Sequence, residues 1–331
     1  MNTLSPISNS YVERDFTLEN RIKYANNFIK HFISASSAEF EIIKKNKYSY
    51  KSLLLDKQIG SDSKYGAVYS VKYGKKPKLY IVAAKLLCVN ESNNRELMIL
   101  KKLTNLVLKG KTIHLPIMYF NIKIEKTEKI KNELLPDVIK YCNNFHISFN
   151  EMFAGDLKMI MNNKKQNYNF IKNTITQIFF SISTFTNYSK YMHKDAHWGN
   201  FLYHNVKKGG YFYYKVNNID IYLENIGFIW VIWDYGFAKK IKNRKIHRDY
   251  SRVIHAFFSK LKGGWIPTYI KTDVKADNFA LNVYRELKNL SYVAELNKKM
   301  EVHKILFRLC PELLVKPKDD QIINKQPFII E

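Results

Sequence analysis

The stretch "YMHKDAHWGNFLYH", residues 191–204, sets two histidines, an aspartate and an asparagine around a Trp-Gly pair, and "VIWDYGFA" follows at 231–238. An H-x-D-x-H spacing offers His193, Asp195 and His197 as zinc ligands. Zinc sites want a third or fourth protein ligand in a supporting context, and the chain supplies no obvious further one. A hydrolytic reading needs an activated Ser or Cys in a recognisable turn, which is missing. Phosphate chemistry fits better. Asp195 is followed by Asn200 at a spacing of five, and Asp234-Tyr235-Gly236 closes an apolar run. Phosphoryl transfer needs a base for the acceptor proton and oxygen ligands for magnesium. Asp195 qualifies as that base. The Asn200 amide oxygen and the Asp234 carboxylate are hard donors suited to Mg²⁺, and Gly236 permits a sharp turn after Asp234.

Working outward, "NYNFIKNTITQIFFSISTFTNYSKYM" (167–192) carries Phe170, Ile171, Ile175, Ile178, Phe179, Ile182 and Phe185 at helical spacing. The quoted stretch is therefore a loop leaving a buried helix. Beyond it, "YFYYKVNNIDIYLE" predicts a hairpin and "GFIWVIWDYG" a buried strand ending in a tight turn, with helices over 249–262 and 278–310. Upstream, "SLLLDKQIG", "GAVYSVKYG" and "KLYIVAAKLL" read as strands, with a hairpin tip at 72–78. Residues 91–108 read as a helix with Leu97, Ile99, Leu100, Leu103 and Leu106 on or near its buried side. "IHLPIMYFNIKI" and "FHISFNEMF" add strand-like pieces. "TLENRIKYANNFIKHFISAS" has the spacing of an amphipathic helix. A strand-rich part thus precedes a helix-rich one: an α+β chain in two lobes, 49–152 and 153–331, after an extension over 1–48.

The chain has 331 residues, 46% of them hydrophobic and 25% charged, enough to build a substantial core. Its net charge of +25 admits nucleic acid, anionic membrane or acidic substrates as partners. Only eight of the 54 basic residues are Arg, the better residue for bidentate phosphate contacts. Solvated lysine faces and a Lys/Asn/Ile-rich composition account for the charge more simply. Cys88, Cys142 and Cys310 are far apart and form no CxxC pair, which argues against a zinc ribbon or disulfide framework and for a reducing compartment. "MNTLSPISNS" lacks a signal-peptide core, and the apolar run 226–233 falls short of a membrane span. The expectation is an intracellular, cytoplasmic monomer without membrane contact.

His193-Lys194-Asp195 with Asn200, then Asp234-Tyr235-Gly236, resembles the catalytic loop and metal motif of eukaryotic protein kinases. "IGSDSKYGAVYSV" (59–71) resembles the Gly-rich loop over the ATP phosphates, which implies nucleotide contacts from Ile59, Gly60, Ser61, Ser63, Gly66 and Val68. "IVAAK" (81–85) resembles the third-strand motif, placing Ala83 beside the nucleotide and Lys85 on its α and β phosphates. Glu96 in "NRELMILKKL" stands where an ion pair with Lys85 is expected. "FNEMFAGDL" (149–157) resembles the hinge, where Glu151 and Phe153 would offer backbone groups to adenine and Asp156 would meet the ribose. The resemblance implies a bilobal kinase-like fold, ATP and Mg²⁺ as cofactors, catalysis by Asp195, Lys85 and Glu96, and Asn200 and Asp234 on the metal.

The departures are informative. The loop 60–66 has one residue more than G-x-G-x-x-G and lacks its middle glycine. Lys194 replaces the usual Arg, His197 stands where Ser/Thr kinases usually carry a Lys, and no Ala-Pro-Glu follows. Asp249, fifteen residues after Asp234, is the candidate buried Asp that anchors the loop. "HKDAHWGNFL", a hairpin and "IWDYG" look most like the haspin-type branch of atypical Ser/Thr kinases, and the composition is similar to kinase-like proteins of large cytoplasmic DNA viruses. That resemblance implies a protein substrate, with acidic peptides and nucleic-acid complexes favoured by the charge. His197 and the short segment after Asp234 also resemble aminoglycoside- and choline-type phosphotransferases. A pseudokinase scaffold is the further alternative.

Overall fold

The structure, a computed structural model, describes residues 15–33, 40–51, 53–63, 66–74, 79–128, 130–163, 166–241, 247–257, 273–292 and 301–330. The chain is α+β and divides into two compact units, Met1–Asn105 with Pro116–Met152, and Leu106–Leu115 with Phe153–Glu331.

The first unit is built on a seven-stranded antiparallel sheet of order β1-β2-β3-β4-β5-β7-β6. Its strands are β1 (Phe40–Lys44), β2 (Lys47–Tyr50), β3 (Leu53–Ser63), β4 (Gly66–Tyr73), β5 (Tyr80–Cys88), β6 (Met118–Glu125) and β7 (Asn144–Glu151). Helix α1 (Leu18–Ile33) precedes the sheet, α2 (Glu91–Leu108) follows β5, and α3 (Asp137–Lys140) precedes β7. The amphipathic spacing of α1 puts Phe28 and Phe32 on one stripe. Phe28 packs 5.1 Å from Tyr119, and Phe32 stacks 4.2 Å from Phe120. Such aromatic pairs add about 0.5–1.5 kcal/mol each beyond their buried area. The Tyr24 hydroxyl accepts from Ile81 N–H (2.7 Å) and donates to Ile81 C=O (3.0 Å), satisfying backbone groups near the start of β5. The described residues of the stretch read as an extension, 15–33 and 40–48, are thus part of this unit.

One expectation is overturned here. Cys88 and Cys142 form a disulfide, with Cα atoms 5.8 Å apart. They lie 54 residues apart in sequence, but β5 and β7 are antiparallel neighbours, with Cys88 opposite Phe145. That register carries the turn before β7 back to the end of β5.

The second unit is organised around α5 (Tyr168–Ser189). Asn167 caps it by accepting the Phe170 N–H at 2.9 Å, and Lys190 ends it in the left-handed conformation. Buried polar groups tie this helix to neighbouring strands. The Gln177 amide donates to Phe228 C=O at 3.0 Å and accepts Trp230 N–H at 3.0 Å. Before α5 come β8 (Gly155–Asp156) and α4 (Leu157–Asn163). After it come β9 (Tyr191–Met192), β10 (Phe201–Asn205), β11 (Tyr211–Val216), β12 (Ile219–Glu224), β13 (Phe228–Ile232) and β14 (Lys239–Lys240). Helices α6 (His247–Ile254), α7 (Val274–Tyr292) and α8 (Glu301–Leu309) follow, and β15 (Phe328–Ile330) returns to pair in parallel with β11. The helices expected over 249–262 and 278–310 correspond to α6, α7 and α8. Their parts at 258–262 and 293–300 lie outside the described residues. No described helix is long and apolar enough to cross a membrane.

A buried polar chain runs from the Tyr250 hydroxyl through Ser183 Oγ (2.6 Å) to His303 Nε2 (2.9 Å). Burial pushes the His303 pKa down to about 4. The fold therefore binds fewer protons at this site than the unfolded chain. Its contribution is complete above about pH 6.5 and falls as pH drops toward 4, a loss on the order of 3 kcal/mol. We expect the urea midpoint to fall across that window in wild type and the fall to be smaller in His303→Gln; equal slopes would remove His303 as the cause.

Candidate active-site residues

In the first unit, strand alternation puts Ile81, Ala83 and Lys85 on one face of β5. Lys85 and Glu96 are 4% and 0% exposed, and Lys85 Nζ donates to Glu96 Oε1 at 2.7 Å. A buried lysine held this way is not a snorkelling edge residue; its carboxylate partner on α2 fixes the ammonium. Val68 lies opposite Lys85 across the β4–β5 ladder. Gly66 opens β4 against the lysine stem, where an added Cβ would come within 2.9 Å of Lys85 Cε.

The loop expected at 60–66 instead continues β3 to Ser63, which pairs with Gly66 after a shift in register past Ile59. Gly60, Ser61 and Ser63 are thus on strand backbone, and residues 64 and 65 lie outside the described residues. Ile59, Val68 and Ala83 do come together, in an apolar cluster that also holds Phe16, Ile81, Met152 and Leu79. Glu151, expected at the hinge, is held from both its backbone and its side chain. Its backbone N–H goes to Ile117 C=O at 3.0 Å. Its carboxylate is buried on Arg21, through Nε (3.0 Å) and a terminal guanidinium nitrogen (2.7 Å), and on Ile117 N–H (2.8 Å).

In the second unit, Phe153 stacks on His204 at 4.4 Å. Asp156 accepts Met159 N–H at 2.7 Å, capping α4, and burial raises its pKa. The quoted loop leaves α5 through the short strand β9. Asp249, from α6, accepts His193 N–H (2.7 Å) and Lys194 N–H (2.9 Å). This is the anchoring role anticipated for it, with its pKa raised by burial and opposed by His193. Lys194 is held left-handed at φ 67°, a conformation costing a non-glycine residue about 1–2 kcal/mol.

The histidines are committed to backbone. His193 Nε2 donates to Trp233 C=O at 2.9 Å, and its Nδ1 accepts Asp195 N–H at 3.3 Å. His197 Nδ1 accepts Gly199 N–H at 3.0 Å, leaving its Nε2–H 3.6 Å from Asp195 Oδ2. Burial keeps the His197 pKa below its usual range despite Asp195. With these nitrogens engaged, the zinc triad does not form. Among the described residues no group of three or more His, Cys, Asp or Glu is set to hold a metal.

Asn200 is joined to Asp195. Its amide nitrogen donates to Asp195 C=O at 2.9 Å and lies 3.4 Å from Oδ2, which leaves the amide oxygen as an acceptor. Trp233 N–H donates to Asn200 C=O at 2.8 Å, and Phe201 pairs with Ile232, so Asn200 and Asp234 stand at the same end of the β10–β13 pair. Tyr235 is buried, stacked 4.8 Å from Phe185 and bonded to Ile232 C=O at 2.7 Å. The sharp turn falls on Asp234 itself, φ 63°, rather than on Gly236. Asp234 Oδ1 accepts the Gly236 N–H at 3.4 Å, a bond that stabilises the left-handed residue.

Sequence reasoning missed Arg252. Its guanidinium pairs with Asp195 Oδ1 at 2.6 Å and donates to Lys194 C=O at 2.9 Å. The one signal was spacing: Arg252 lies one helical turn beyond Asp249 on α6. Phe16 and Arg21 had no local signal. No protein-family model and no curated protein matches this chain.

Proposed function

We propose that the protein is an ATP-dependent kinase with the bilobal protein-kinase-like fold, related to the haspin-type branch, that transfers the γ-phosphate to Ser or Thr hydroxyls of proteins. The observation that carries this reading is the knot of Asp195, Asn200 and the Asp234 turn, held by hydrogen bonds of 2.8 and 2.9 Å and anchored from α6. The Lys85–Glu96 pair supports it from the first unit by holding an ammonium suited to the α and β phosphates.

The donor set fits magnesium: a carboxylate and an amide oxygen at one end of a strand pair are hard ligands. Bound magnesium would neutralise phosphate charge. The chain's own work is positional. Asp234 and Asn200 would hold the metal–phosphate end, Lys85 would fix the nucleotide phosphates, and Asp195 would orient the acceptor hydroxyl and take its proton.

The test is transfer of labelled phosphate from ATP and Mg²⁺ to a mixed protein panel and, separately, to aminoglycosides and choline. Protein labelling is expected. Labelling of the small hydroxyl compounds alone would move the chain to the small-molecule phosphotransferases, and nucleotide binding without any transfer would make it a scaffold.

A further inference from the structure

We propose that Arg252 is the positioning residue of the catalytic carboxylate, supplied from α6 rather than from the loop itself. This rests on the kinase reading above. Three observations carry it. Arg252 reaches two consecutive residues of the loop, Asp195 Oδ1 at 2.6 Å and Lys194 C=O at 2.9 Å. Lys194 is the left-handed residue, and Asp249 holds its N–H at 2.9 Å. Both peptide groups flanking the strained Cα are therefore gripped by side chains one turn apart on a single helix. Finally, the loop offers no strong cation of its own at Asp195. His197 approaches Oδ2 only at 3.6 Å, and its Nδ1 is taken by the Gly199 N–H.

A carboxylate rotates readily about its last side-chain bond, and a base that rotates spends little time facing its proton. A charge-assisted bond to Oδ1 fixes that rotation. It leaves Oδ2, flanked by Asn200 Nδ2 at 3.4 Å and His197 Nε2 at 3.6 Å, as the oxygen that receives the proton. In the step this serves, the acceptor oxygen bonds to the γ-phosphorus. The bond from that phosphorus to the bridging oxygen breaks, ADP departs with the electron pair, and the hydroxyl proton passes to Oδ2. Arg suits the task because its planar fork offers separate donors to the carboxylate and the carbonyl, whereas a lysine is a single point charge. The ion pair is partly exposed, 33% and 18% for the two side chains, so its stabilising value is small. Its consequence is orientation.

The experiment compares Arg252→Ala, Arg252→Lys and Arg252→Gln with wild type and Asp195→Asn, reading turnover, KM for ATP, nucleotide affinity without turnover, and melting temperature. Arg252→Ala is expected to lower turnover about 30-fold, the scale of a misplaced base, with KM and nucleotide affinity within about twofold. Arg252→Lys restores the charge but not the second, separately placed donor, and recovers only part of the loss. Arg252→Gln keeps the stem and a donor without the charge and stays near the alanine level, which covers the case in which Ala fails to fold. Turnover of Arg252→Ala within about threefold of wild type, while Asp195→Asn collapses, overturns the proposal and leaves the kinase reading intact. So does a loss that appears in nucleotide affinity or follows the melting temperature across all three variants. Wild-type protein that binds nucleotide and transfers no phosphate overturns both.

Discussion

Asp195→Asn is expected to lower phosphate transfer at least about a hundredfold while nucleotide affinity stays within about twofold. The substitution is isosteric. The amide oxygen can still accept from Arg252, which now bonds Oδ1 at 2.6 Å, and the bond from Asn200 to the backbone carbonyl of residue 195 is untouched. What disappears is a group able to take a proton. A general base contributes about 10²–10⁴-fold, and losing it should appear in kcat at saturating ATP. The nucleotide dissociation constant, read by fluorescence in the absence of acceptor, reports whether the rest of the site is intact. A variant with turnover within about tenfold of wild type removes Asp195 from the chemistry, whatever the fold.

Arg21→Ala has the largest expected effect on stability. The guanidinium is 0% and its partner Glu151 3% exposed. Removing the cation leaves a buried carboxylate with the Ile117 N–H at 2.8 Å in place of a full counter-charge. Breaking such a pair from one side costs about 3–5 kcal/mol, a large part of the 5–15 kcal/mol that holds a typical domain. The urea midpoint of the variant should fall accordingly, and Arg21→Met combined with Glu151→Gln should recover much of the loss. A single-variant loss below about 1 kcal/mol would mean that Glu151 is rehydrated or protonated in place.

The sequence carried most where one residue's neighbours in space are also its neighbours in the chain. Helix α5 was legible because its apolar face repeats along 22 residues. The His193–Asn200 loop was legible because residues spaced by two and five bond one another locally. What stayed hidden were partners joined only by folding. Arg21 and Glu151 lie 130 residues apart, and the Cys88–Cys142 bond follows from the register of β5 on β7. The left-handed turn went to Asp234 instead of the glycine two positions on, because an aspartate can bond its own backbone there. Arg252 was readable only after Asp249 had been given a role. Buried Gln177, which looks polar in any periodicity, in fact supplies two hydrogen bonds that dock α5 on β13.

The aromatic stripe of α1 bears on where this protein can be cut. A chain trimmed to begin at residue 49, the expected start of the first lobe, would lose Phe16, Arg21, Tyr24, Phe28 and Phe32 together. It would expose Phe120 and Phe149 to water, take Arg21 from the Glu151 carboxylate and open the backbone of Ile81. Such a fragment would be sticky and short-lived, inviting contact with other copies through its bared strands. The smallest working form of the molecule therefore starts before its first recognisable motif.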